Sequence, residues 1–134
     1  MEKIFVDTSA WVALFVKNDD YYKKASLIFE RIKKEKAELY TSDYIIDETI
    51  TTILARGNHR QSVHAGNVLL TSNLIKIISV SLDYFQETWK HYQKFHDKHL
   101  SFTDVSCFVV MKDLKITKAF SFDREFLQVG LELL

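Results

Sequence analysis

Asp7, Glu48, Asp104 and Asp123 are spread along a chain of 134 residues, each following an apolar stretch. Three of them share a local setting, in IFVDTSA, LSFTDVS and AFSFDRE. In each, an aromatic and a hydroxyl residue lie near an aspartate where a strand or loop should turn into a helix. Carboxylates gathered from distant segments repel one another. A fold keeps such a cluster when a cation compensates it, most simply a divalent metal. The chemistry these residues suit is therefore metal-dependent hydrolysis.

Each acid also has a structural explanation. Asp7 would cap a helix beginning near Ser9, and Asp123 a short helix running through Phe126. Ser101 and Asp104 match a reciprocal pattern of helix initiation. Glu48 would face solvent, and periodicity alone leaves open whether Glu48 or Asp47 is the inward acid. Capping accounts for an acid at each place but does not require that the four converge.

Positioning them needs alternating strands and helices. Lys3–Val6 reads as a short buried strand, and residues 10–16 as a buried first helix. Residues 20–36 are amphipathic, with Ala25, Ile28, Phe29 and Ile32 at helical spacing. A brief strand at residues 39–41 precedes a helix capped by Ser42 or Asp43 and running to about Arg56, with Ile46, Ile50, Ile53 and Leu54 on its core face. Gly57 suits its end. A helix over His59–Thr71 places Val63 and Leu70 on its apolar side. Residues 74–80 are rich in β-branched side chains and predict a strand. Leu82, Phe85, Trp89, Tyr92 and Phe95 mark an amphipathic helix whose stripe is expected in the core. Residues 103–114 predict a central helix, 118–122 a strand, 123–128 a helical turn and 131–134 an edge strand. This alternation predicts one domain over residues 1–134, a three-layer α/β/α fold with a mostly parallel central sheet. In such sheets, sites form beyond the carboxyl ends of the strands. Asp7 and Asp123 fall there directly, while Asp104 opens a helix and Glu48 lies in the first turns of another.

Composition narrows the class. Formal charge is zero, so the chain lacks the basic excess of a general nucleic-acid coat protein. Any nucleic-acid binding must come from a local patch, for which residues 17–36 with Lys23, Lys24, Arg31, Lys33, Lys34 and Lys36 are the best candidate; a solvated helix face is the ordinary reading of the same charges. No segment is long and uniform enough to span a membrane, and the N-terminus lacks a secretory apolar core. One cysteine, Cys107, precludes an internal disulfide and fits a reducing compartment, so a cytoplasmic protein is expected. Cys107 sits in an apolar helix and reads as packing. His91, His96 and His99 have no zinc-site spacing and read as surface residues. Trp11 and Phe15 divide between core and contact surface.

The ordered set resembles the PIN-domain nucleases, specifically the VapC-type toxins of prokaryotic toxin–antitoxin pairs. VDTSAWVALF is similar to their opening strand and first acid, and LSFTDVSCFVVMKDL to their third-acid segment. TSDYIIDETIT is similar to the segment with the family's glutamate and aligns it with Glu48 rather than Asp47. KAFSFDREFLQVGLELL is similar to the closing strand, fourth acid and C-terminal strand. The resemblance implies cleavage of RNA phosphodiester bonds with one or two Mg²⁺ or Mn²⁺ ions. Asp7 and Asp104 would be the main ligands, and Glu48 and Asp123 ligands or water-mediated supports. Thr8, Ser9 and Thr103 would hydrogen-bond carboxylates or phosphate, although capping explains them equally well. Arg124 would hold a flanking phosphate. A homodimer and a small antitoxin covering the acidic groove are also implied, with Trp11, Phe15 and the basic second helix as the antitoxin's contact surface.

Other functions fit less well. Aspartyl-phosphate phosphatases carry a second acid two residues after the first, where this chain has Ser9. Receiver-type signalling domains need paired acids near the first strand, and no glycine-rich phosphate loop is present. A non-catalytic PIN-fold module binding a partner or RNA is the alternative from a different class.

Overall fold

A computed structural model describes residues 1–96 and 99–134. The elements are β1 (Lys3–Val6), α1 (Thr8–Phe15), α2 (Tyr22–Lys34), β2 (Glu38–Ser42), α3 (Asp43–Arg56), α4 (His59–Thr71), β3 (Ile75–Ile78), α5 (Leu82–Lys94), α6 (Phe102–Asp113), β4 (Lys118–Phe120), a 3₁₀ turn (Arg124–Val129) and β5 (Glu132–Leu133). The strands form one sheet in the order β3-β2-β1-β4-β5, every pair parallel, with helices packed around it. Phe5 stands opposite Tyr40 on one side and Ala119 on the other.

Strand order reverses at β1. The chain leaves β1 towards β2 and β3, then returns to lay β4 on the opposite side of β1. That reversal opens a crevice between the carboxyl ends of β1 and β4, where backbone ends diverge and polar side chains can project. The crevice floor is tied by the Asp7 N–H, which donates to the Phe120 carbonyl at 3.0 Å.

The core follows from this central placement. Ile4, Phe5 and Val6 of β1 and Ala119 and Phe120 of β4 are buried on both faces, as a parallel sheet covered by helices requires. Trp11 is buried too, its Nε1–H donating to Thr41 Oγ1 at 3.2 Å. Thr41 in turn donates to the Val6 carbonyl at 3.0 Å. Ser42, Asn58, Ser81 and Ser101 each cap a helix through a side-chain oxygen.

Three expectations about apolar faces need correction. On α3 the buried set includes Ile45, Ile46 and Ile53, whereas Leu54 is exposed. On α4 the inward face is Ser62, Ala65, Gly66 and Leu69, and Val63 and Leu70 are exposed. Close helix approach explains this: a Cβ on Gly66 would sit 3.3 Å from Ile50 Cδ1, so that face is mostly small residues, with Leu69 as its one large apolar side chain. On α5, Leu82, Phe85, Trp89 and Tyr92 are all exposed and Thr88 is the residue buried. Phe85 and Tyr92 pack edge-on against Phe102 of α6, forming a surface aromatic cluster. Helical spacing shows that residues share a face but does not show what covers it.

The regular part of the third strand is shorter than expected because it is an edge strand paired on one side. The expected strand over residues 118–122 ends at Phe120, where the backbone turns to deliver Ser121 and Asp123. Cys107 is buried packing, as expected. No helix of the described residues is long and apolar enough to cross a membrane.

Replacing Thr41 by valine keeps the shape but strands the Trp11 N–H in the core. Unpaired buried groups cost about 1–3 kcal/mol, so Thr41→Val is expected to lower unfolding stability by that amount in a urea titration. An unchanged midpoint would show that this bond contributes nothing.

Candidate functional site

The crevice widens into a groove of about 600 Å³ lined by Asp7, Thr8, Ser9, Glu48, Asp104, Asp123 and Arg124, together with Asp19, Tyr21, Arg56, Ser101 and Phe122. All four acids singled out in the sequence therefore reach one cavity. Of the four polar residues named with them, Thr8, Ser9 and Arg124 line it. Thr103 faces an adjoining depression with Asp47 and Glu48.

Asp7 begins α1, yet its side chain makes no cap. Its Oδ2 instead accepts from Ser9 Oγ at 3.1 Å and Ser121 Oγ at 2.9 Å. The two serines are themselves anchored: Ser9 Oγ accepts from the Phe122 N–H at 2.9 Å, and Ser121 Oγ from the Asp123 N–H at 3.0 Å. Burial pushes the Asp7 carboxyl above its ordinary range. Hydrogen bonds from Ser121, Thr8 and Ser9 oppose that rise, and the Glu48 charge adds to it.

Glu48 is half-buried and accepts a hydrogen bond from Thr8 Oγ1. Asp47 is exposed and points its carboxylate at Thr51 of its own helix. The inward acid of α3 is thus Glu48.

Asp104 and Asp123 do serve as caps. Asp104 Oδ2 accepts from the Ser101 N–H at 3.1 Å while Ser101 Oγ accepts from the Asp104 N–H at 3.0 Å. Asp123 Oδ1 accepts from the Glu125 N–H at 2.9 Å. Capping holds the carboxylates in place without removing them from the groove. Asp104 is pushed up to about 6, chiefly by burial; the Ser101 hydrogen bonds pull it down, and the charges of Asp7 and Asp123 push it further up.

Glu125 was not anticipated. The 3₁₀ turn capped by Asp123 folds Glu125 back, so that Asp104, Asp123 and Glu125 each offer a carboxylate oxygen within 4.8 Å of the others. An acid two residues after the capping aspartate was the available signal. Ser121 was also missed, although it is the hydroxyl of the AFSFD motif. Beneath the groove, burial raises the Cys107 thiol well above its usual range, and the charges of Asp7, Asp104 and Glu48 add to this. Such a thiol is inert.

The donor set is wholly oxygen and wholly acidic, with two carboxyls whose proton affinity is raised. Such a set fits a hard divalent cation, which keeps waters and takes a few carboxylates.

A parallel α/β fold with carboxylates gathered at its switch crevice presents an acidic site that could hold a divalent cation. Residues 4–131 match the PIN domain. The 23S rRNA-specific endonuclease VapC20 of Mycobacterium tuberculosis is 30% identical over 127 residues, covering 95% of this chain and 94% of that protein. Its crystal structure, described as a sarcin–ricin loop cleaving toxin, superposes with a TM-score of 0.85 over 96% of this chain and 95% of that one. VapBC2 from Rickettsia felis, solved on a DNA fragment from its promoter, shares the fold at a TM-score of 0.68 and 15% identity, over 98% and 97% of the two chains. The chain belongs to the PIN-domain family, as a VapC-type member.

A raised folded-state pKa for Asp104 has a definite linkage sign. The unfolded carboxyl titrates near its ordinary 3.8 and the folded one near 6. The metal-free fold therefore carries no penalty from this group below the lower value and progressively loses stability as pH rises through that window. A divalent cation competes with the same proton. Mg²⁺ or Mn²⁺ is expected to raise the melting temperature at pH 7, with the increment shrinking as pH falls below about 6. Scanning fluorimetry across pH reads this directly; an increment independent of pH would remove Asp104 from the cation site.

Proposed function

We propose that the chain is a divalent-metal-dependent endoribonuclease, the toxin of a toxin–antitoxin pair, acting on a structured ribosomal RNA loop. The observation that carries this reading is the meeting of Asp104, Asp123 and Glu125 beside Asp7 and Glu48 at the sheet's switch crevice. Similarity over nearly the full chain to a 23S rRNA-specific endonuclease supports RNA as the substrate and ribosomal RNA as the first to test.

In this reading Asp104, Asp123 and Glu125 hold Mg²⁺ or Mn²⁺. Asp7 stays with Asp104 as an expected main ligand, because the two serines hold only its Oδ2 and leave Oδ1 for the ion. The bound ion would neutralise the cluster, lower the pKa of water and stabilise charge on the phosphoryl oxygens. Asp7 and Glu48, fixed by Ser9, Ser121 and Thr8, complete the acidic wall; as water attacks phosphorus its proton would pass to a groove carboxylate, and the P–O bond to one ribose oxygen would break, that oxygen leaving with a proton. Arg56 and Arg124 line the same groove and would hold flanking phosphates, offsetting the repulsion between RNA and acids. Arg56 is meanwhile paired with Asp19 at 2.7 Å.

The partner of such a toxin would be a small antitoxin presenting an arginine to these carboxylates. Trp11, with 2% of its surface accessible, is unavailable to it, which leaves half-buried Phe15 and the exposed side of α2 as the contact surface. A homodimer and a cytoplasmic location complete the proposal.

Antitoxin-free protein is expected to cut total cellular RNA into discrete fragments with Mg²⁺ or Mn²⁺ and not with EDTA. Asp7→Asn and Asp104→Asn should each lose roughly 100-fold or more of the rate while circular dichroism shows a folded protein. Undiminished cleavage in EDTA would overturn the metal mechanism. An RNA-binding module without catalysis would leave RNA intact in every condition.

A further inference from the structure

The lip of the groove carries an aromatic stack that the catalytic proposal does not use. Tyr21, 49% exposed, lies flat on Phe122 with ring centroids 4.4 Å apart and planes within 6° of parallel. Both rings line the groove that holds the acids. Phe122 stands between Ser121 and Asp123, and its N–H donates to Ser9 Oγ, so the stack is tied to the same two serines that fix Asp7. Tyr21 is fixed from the other side: its N–H donates to Asp19 Oδ1 at 2.9 Å, and Asp19 Oδ2 accepts from Arg56 at 2.7 Å. Lys24 places its ammonium 5.9 Å from the Phe122 ring centre.

Building on the nuclease reading, we propose that the free face of Tyr21 is a stacking platform for one unpaired base of the RNA substrate, setting the register of the strand over the carboxylates. One face of the ring is covered by Phe122 and the remainder is open at the groove lip. An aromatic already ordered by a hydrogen-bonded backbone and a stacked neighbour loses little freedom on binding. Single-stranded nucleic acids are held by this combination, a π-face for the base and cations for the adjacent phosphates; here Lys24, Arg56 and Arg124 supply the cations. A shield for Phe122 would explain the covered face equally well, but it predicts no dependence on a substrate base.

The experiment uses the full chain and a labelled RNA oligonucleotide spanning the site that the protein cuts in total RNA. Single abasic positions are introduced in turn. Tyr21→Ala is expected to lower kcat/KM by roughly 10- to 100-fold, mostly through KM. Tyr21→Phe, which retains the ring, should recover most of that loss. One abasic position should mimic Tyr21→Ala and add nothing to it, the signature of two groups in contact. Wild-type kinetics in Tyr21→Ala, or losses that multiply independently at every abasic position, would overturn the platform while leaving the nuclease reading intact. A wild-type protein that cuts no RNA with either metal would overturn both.

Discussion

Mutual repulsion of carboxylates is the constraint around which this molecule is organised. Two like charges about 5 Å apart repel by on the order of 3 kcal/mol at an effective dielectric of about 20, and by less where water reaches them. The fold nevertheless delivers Asp7 from the end of β1, Glu48 from α3, Asp104 from the first turn of α6 and Asp123 from the turn after β4 into one groove, with Glu125 close to Asp104 and Asp123. Burial is the chief cause of the raised proton affinities of Asp7 and Asp104, and the neighbouring carboxylates add to it. The remaining architecture withstands the repulsion: a sheet core buried on both sides, serine hydroxyls on Asp7, and helix starts that pin Asp104 and Asp123.

Capping and function coexist here because they use the acids differently. A capping aspartate satisfies an orphan backbone N–H, and that bond fixes the direction of its carboxylate. Asp104 and Asp123 gain orientation in this way, while Asp7, deeper in the crevice, takes it from Ser9 and Ser121. The same two serines reach Phe122 and Asp123 through the backbone. Groove acids and groove lip are therefore joined through one set of hydrogen bonds, which suits the proposed holding of a phosphate and its neighbouring base in fixed relation.

Much of this is legible in the sequence. Short apolar runs separated by amphipathic stretches located the strands, and the parallel order followed from their alternation with helices. The four acids were visible because each breaks an apolar segment at its end. Glu125 was not, since its approach to Asp104 depends on how the 3₁₀ turn folds back, a detail of three residues. The aromatic stripe of α5 misled because periodicity reports a shared face only; those rings gather around Phe102 at the surface. The inward face of α4 was missed for the opposite reason, as Ser62, Ala65 and Gly66 carry almost no apolar signal and are selected for closeness to α3. Tyr21 and Phe122 lie far apart in sequence and acquire meaning only once stacked.

The central claim is that a divalent cation offsets the clustered charge at Asp104, Asp123 and Glu125. Crystals soaked in Mn²⁺ and measured for anomalous scattering would test it most directly. The account predicts one strong peak bounded by those three carboxylates, absent from an Asp104→Asn crystal treated in the same way. A groove without a peak at saturating Mn²⁺, or a peak held by residues away from these acids, would contradict it.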